Sequence, residues 1–301
     1  MSQIVLTACA MLSVVFVIYV FRKRNILQKE NSTIISKILV TLNIPCLIVN
    51  LFKDVHFTPS LLYAVFIGMI ANIFGTLVAY YLSKKQDPHT RAIYILSASG
   101  YNLGIFTIPF ATTFLSSSAL VTVVMFDIGN AIIAFGATYA ICAVIVNSEK
   151  KSIVKTVVSK LSHSVPFICY LVMIVIEFLN IQLPSVLYVF TDYISASTGF
   201  LGMVLIGLII DFKIDMSEVK TVSLALIMRY SISAIICITI LAMPFDAEIK
   251  KSMLIAVVSP VLVIAVVHAE NLKCKSSTFG MIASLSIIIS IVLIILVEVF
   301  L

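Results

Sequence analysis

"SASGYNLGIFTIPF" (residues 97–110) lies inside a long apolar run, yet it carries two glycines, an asparagine and a proline. Proline removes a backbone donor and clashes with the preceding turn. Gly100 and Gly104 loosen the helix, and Asn102 brings a carboxamide that both donates and accepts. A helix interrupted within a bilayer needs protein or a water-filled cavity to satisfy its freed backbone groups. The half-helix end at such a break offers unpaired N–H groups and a positive dipole, which suit an anion. Two readings follow: a binding site at the break, or a proline kink packed against its neighbours.

The rest of the chain shows which solvent surrounds this break. Of 301 residues, 61% are hydrophobic and only 11% are charged, with a mean hydropathy of +1.17. Soluble domains carry about 25% charged residues, so the composition excludes an ordinary soluble globule. Crossing a bilayer takes about 20 apolar residues per helix. Ten runs qualify, at residues 4–21, 34–52, 61–82, 92–114, 119–146, 165–179, 188–210, 219–241, 249–268 and 278–300. They do not alternate as barrel strands do. The expected class is an all-α polytopic membrane protein.

Basic residues orient the chain, because Lys and Arg gather in cytoplasmic loops. The gaps after the odd-numbered runs, with the first turn of the run that follows each, hold sixteen of them: Arg22, Lys23, Arg24, Lys29 and Lys37, then Lys84, Lys85 and Arg91, then Lys150, Lys151, Lys155 and Lys160, then Lys213 and Lys220, and finally Lys273 and Lys275. The opposite side has Lys53, Lys250 and Lys251, while Arg229 lies inside the eighth run. This split places both termini outside the cell membrane. The basic cluster follows the first run, whereas a secretory signal is basic in front, so the first run is expected to be a retained helix. The net charge of +6 reads as orientation and contact with anionic lipid. It is not a nucleic-acid footprint, which needs a basic face on a soluble domain.

The polar stretch 147–164 divides the chain into a first five-helix set (1–146) and a second (165–301). Two repeats with an odd number of crossings insert in opposite orientations, as in many secondary transporters. The fourth and ninth runs, which correspond in the two sets, each carry a helix-breaking proline, Pro109 and Pro260.

"YNLGIFTIPF", with Asn102 seven residues before Pro109, resembles the fourth-helix signature of the auxin efflux carrier family, including its prokaryotic members. Further stretches are similar to that family in the same order: "LNIPCLIV" (residues 42–49), "FDIGN" (126–130), "GFLGMVLIGLIIDF" (199–212) and "SPVLVIAVVHAENLKCKSSTFGMIASLSI" (259–287). The resemblance spans nearly the whole chain at low identity. It implies a 5+5 inverted repeat, with broken fourth and ninth helices that cross near the midplane and bind substrate there. It also implies transport of organic anions, auxin in plants and dicarboxylates such as malate or malonate in bacteria. Family members can be dimers, so a homodimer is one implied partner. The chain departs from the family pattern after Pro260, where "VLVIAVV" is wholly apolar. That opens the way to a smaller or more apolar anion, or to coordination by backbone alone.

Asn102, Tyr101, Gly104 and Pro109 are therefore candidate substrate-binding residues, with Ser259 and Pro260 opposite them and Asn43 and Pro45 in the second helix. Tyr101 has two readings, stacking on substrate or anchoring at the interface, and Asn43 equally suits a cap on the carbonyl that Pro45 frees. Charges at mid-membrane depth cost about 2.5–3.5 kcal/mol on insertion scales, so Asp127 and Arg229 need a reason. Arg229 can neutralise a substrate carboxylate through a two-pronged hydrogen bond, and Asp127 with Asn130 can hold a coupling proton or cation. The structural alternatives are an Asp127–Arg229 ion pair, or Arg229 bonded to backbone carbonyls. Glu177 and Glu298 fall near helix ends and are expected to be wetted.

Enzyme chemistry has no motif here: "HExxH", "GxSxG" and a phosphate-binding glycine loop are all missing. The six scattered cysteines point to neither a metal cluster nor disulfides, so no cofactor is expected. The leading expectation is a proton-coupled or uncoupled carrier of small organic anions. Its rivals are a sodium-coupled carrier of the bile-acid symporter type, which builds cation sites at both crossings, and a non-transporting sensor or scaffold with the same fold.

Overall fold

The computed structural model describes residues 2–53, 59–147, 155, 158, 159, 161–210 and 215–301. Most of the stretch 147–164, including Lys150, Lys151 and Lys160, lies outside the described residues, as do His56 and Lys213. The described residues are predominantly helical and contain no strand beyond one isolated bridge.

Helix α1 (Ser2–Lys23) is followed by α2 (Asn31–Ile38), a π-helical turn (Leu39–Asn43) and α3 (Ile44–Leu51), which run on as one kinked rod. Next come α4 (Pro59–Leu82), α5 (Pro88–Ala98), a second π turn (Leu103–Thr107) and α6 (Ile108–Ala111). Helix α7 (Ser117–Ile132) passes through a π turn (Ile133–Ala137) into α8 (Thr138–Asn147). The remaining helices are α9 (Val165–Phe178), α10 (Ser185–Ser195), α11 (Thr198–Ile209), α12 (Val219–Ala242), α13 (Ala247–Val257), α14 (Ile264–Asn271) and α15 (Ser276–Phe300).

Six helical rods among the described residues are long and apolar enough to cross a membrane: Asn31–Leu51, Leu61–Leu82, Ser117–Val146, Ser185–Ile209, Val219–Ala242 and Ser277–Phe300. The protein is thus an all-helical membrane protein. At 14 residues, α9 is shorter, and the predicted fourth and ninth runs are each interrupted.

Local chemistry accounts for the boundaries. Asp87 caps α5 by accepting hydrogen bonds from the backbone N–H groups of His89 and Thr90, both at 3.1 Å, and Pro88 follows at the first helical position, where its missing donor costs nothing. The Thr90 hydroxyl and these backbone donors hold the Asp87 carboxyl below its ordinary range. Helix α5 ends where Ser99 turns extended and Gly100 adopts φ +83°, a conformation that costs a residue with a Cβ. The π turns before α3 and α6 each end two residues ahead of a proline, Pro45 and Pro109, so the widened turn takes up the hydrogen bond that proline cannot donate.

Helix α1 lies along α11, and α3 lies against α9 and α10. In a second group α4 lies along α7, α5 against α8 and α12, and α13 against α7. Glu298, expected to be wetted, is instead buried at 8% exposure, with Lys251 Nζ 2.9 Å from its carboxylate. Tertiary contact with α13 has closed over a helix end that the sequence placed at the water interface.

Candidate functional site

The two interrupted segments meet break to break. Tyr101 and Val261 form an antiparallel bridge, the Asn102 N–H donates to the Pro260 carbonyl at 3.0 Å, and the Thr107 and Ser259 hydroxyls share a hydrogen bond of 2.6 Å. Arg229 on α12 ties both breaks together. Its Nη1 donates to the carbonyls of Ser97 (2.9 Å) and Gly100 (3.1 Å), and its Nη2 to those of Ser259 (2.7 Å) and Pro260 (3.0 Å). The guanidinium also sits 5.0 Å from the Tyr101 ring centroid. These carbonyls lost their helical donors at the breaks, and a planar fork with five N–H groups is well suited to collect them.

A second polar network holds the fourth-run break from the other side. The Asn130 carboxamide straddles Tyr101, accepting from its N–H and donating to its carbonyl, both at 2.9 Å. It also donates to Asp127 Oδ1 at 2.8 Å. Asn72 on α4 donates to Asn130 Oδ1 at 3.2 Å and accepts from the Gly100 N–H at 2.6 Å. Nothing in the sequence singled out Asn72. It is one polar residue in an apolar helix, and only the fold brings it to a residue 28 positions away.

Beneath the joined breaks lies a cavity of about 460 Å³. Its polar lining side chains include Asn102 and Asp127, with Gly104 between them in sequence and Ser36, His163 and Ser164 also at its edge. The walls are apolar, with Phe135, Phe167, Leu262, Val263, Ile264 and Val267 among them. The stretch after Pro260 that departs from the family pattern therefore forms one wall of the cavity. Asn102 is 2% exposed and its side-chain oxygen has no hydrogen-bond partner, an expensive state unless a solute or water completes it. Asp127 Oδ2 accepts from the Tyr170 hydroxyl of α9 at 3.2 Å.

Of the residues expected at a site, the cavity brings together Asn102, Gly104 and Asp127, with Asn130 immediately behind them. The others do not line it. Arg229 is committed to four carbonyls, and no ion pair joins it to Asp127. Tyr101 is buried edge-on against Phe126, with centroids 5.6 Å apart, so its ring is not presented to a solute. Asn43 donates to the Ile194 carbonyl at 2.9 Å and to the Ser197 hydroxyl at 2.7 Å, which ties the α2–α3 rod to the junction of α10 and α11. Pro45 turns its carbonyl to the Cys169 thiol at 3.6 Å. Pro109 packs against Gly202, while Ser259 and Pro260 serve the junction of the breaks.

Among the described residues no cluster of three or more His, Cys, Asp or Glu side chains could hold a metal ion. No family model matches the chain, and no curated protein shows significant similarity to it.

Proposed function

We propose that this chain is a secondary transporter of small organic anions in the cell membrane, working by alternating access. The reading takes the ten apolar runs as ten crossings in a 5+5 inverted repeat (1–146 and 165–301), with both termini outside, as the resemblance to the auxin efflux carrier family and the charge pattern imply. The observation that carries it is the cavity at the joined breaks, lined by Asn102, whose side-chain amide N–H can donate to a carboxylate. Irregular backbone held at this depth by dedicated side chains, beside a solute-sized cavity, is the pattern of a transporter site.

The cavity lining also bears on coupling. No described Lys or Arg lines the cavity, and Asp127 does. Two negative charges about 5 Å apart at an effective dielectric of about 20 repel by roughly 3 kcal/mol. An anion is therefore best accommodated when Asp127 has taken up a proton, which makes this a proton-coupled carrier.

Asn102→Ala is expected to weaken carboxylate binding by about 10- to 100-fold, the worth of one hydrogen bond to a charged group. The unliganded melting temperature should hardly change, because the bond to Pro260 comes from the backbone. A thermal-shift screen of purified protein against mono- and dicarboxylates checks this, since a ligand selective for the folded state raises the melting temperature. An equal shift in wild type and variant would remove Asn102 from the site. No shift with any carboxylate would favour a sensor or scaffold. Asp127→Asn is expected to flatten the pH dependence of uptake into liposomes, and a variant that keeps the wild-type pH profile would exclude Asp127 as the proton carrier.

A further inference from the structure

A second feature lies at the basic end of α1, away from the cavity. Residues 22–30 border an open surface pocket of about 390 Å³ lined by Arg22, Lys23, Asn25 and Lys29, with Glu30 as its acidic member. Three cations against one acid leave it strongly positive. One helical turn below, an apolar groove of about 340 Å³ runs between α1 and α15. Leu12, Phe16 and Tyr19 form one wall, and Ile288, Ile291 and Val292 form the other. Phe16 and Val292 are 66% and 53% exposed, so the groove opens to the surroundings of the protein.

Tyr19 joins the two. It stands at the end of the groove, with the Arg22 guanidinium 5.3 Å and the Lys23 ammonium 5.6 Å from its ring centroid. Tyrosine and lysine are the residues that settle at the headgroup level of a bilayer. Arg22 is partly engaged, since its Nη1 donates to the Leu208 carbonyl at 2.7 Å and closes the end of α11. Lys23 and Lys29 are the charges left to meet an anion.

The geometry points to a binding site for one anionic glycerophospholipid, with its phosphate in the 22–30 pocket and an acyl chain in the groove between α1 and α15. The occupant follows from the order of the parts. A positive pocket alone would take any anion, and an apolar groove alone would take any lipid. The two placed one turn apart, about 5 Å along the helix axis, match the phosphate and the start of the chain of a single molecule. Clusters of Lys and Arg just beyond the cytoplasmic end of a membrane helix attract such headgroups, and Arg22, Lys23, Arg24 and Lys29 follow the first run. The inference is independent of what the central cavity carries.

The test uses the full-length protein in detergent, with lipid binding followed by thermal shift and native mass spectrometry. Phosphatidylglycerol is expected to bind at least tenfold more tightly than phosphatidylcholine of the same chain length. Lys23→Gln with Lys29→Gln should weaken phosphatidylglycerol about 30-fold, given the usual contribution of a basic residue at an anionic surface. Val292→Trp, which fills the groove from an exposed position, should weaken both lipids severalfold. Equal binding of the two lipids would overturn the proposal, and so would phosphatidylglycerol binding that survives in both variants. Inorganic phosphate reproducing the full phosphatidylglycerol shift would make this a free-anion site and reject the lipid.

Discussion

Arg229→Ala is expected to destabilise the fold severely, not merely to weaken binding. The guanidinium is 1% exposed and gives two hydrogen bonds to each break. Each bond to a charged donor contributes about 1.5–3 kcal/mol, and removing the arginine takes a donor from the Ser97, Gly100 and Ser259 carbonyls, while Pro260 keeps the Asn102 N–H. These terms are not additive, but a loss of about 4 kcal/mol or more is expected, against a typical total stability of 5–15 kcal/mol. The melting temperature in detergent and the size-exclusion profile read this directly. Arg229→Lys should fall between the two, because a single ammonium cannot reach both pairs of carbonyls at once. A folded Arg229→Ala protein with the wild-type melting temperature and no carboxylate binding would reverse the assignment and make Arg229 a substrate ligand.

Gly129→Ala is expected to cost about 2–4 kcal/mol, although it adds one methyl group. A Cβ at Gly129 would lie 1.9 Å from the Val65 carbonyl oxygen and 2.9 Å from the Met69 nitrogen, and one at Gly68 would lie 2.3 Å from the Phe126 carbonyl oxygen. Helices α4 and α7 therefore touch backbone to backbone, as membrane helices do where small residues face each other. Backbone cannot swing aside like a side chain, so the helices must part. Overpacking of this kind costs about 1–3 kcal/mol, and separation also breaks the Asn72–Asn130 bond that spans the same interface. Gly280→Ala is the matched control. Nothing lies within 4 Å of its added Cβ, and alanine in a helix interior gains about 0.5–1 kcal/mol over glycine. Opposite shifts in melting temperature are expected for the two substitutions, and equal ones would deny the close approach.

Some of the site was legible in the residues. The interruption at Gly100 to Pro109 follows from local chemistry, because glycine and proline act on their own backbone. Asn102, Asp127 and Arg229 stood out because a polar group in an apolar run carries a cost that demands a partner. The identity of the partner was not legible. The residues that engage Arg229 lie 132 and 30 positions away, and no periodicity encodes such a pairing. For the same reason Asn43 and Tyr101 were expected at the cavity and are instead used in joining helices.

The sequence by itself determined the solvent, the helical class, the two runs in which helices break and some of the buried polar groups needing partners, Asn102, Asp127 and Arg229 among them. Each of these depends on composition or on residues a few positions apart. Only the tertiary structure decided which hydrogen bonds join the two breaks, that Arg229 would bond carbonyls of both and that Asn102 and Asp127 would be left lining a cavity. Hydrogen-bond partners are assigned by distance in space, and a chain of helices fixes that distance only when they pack.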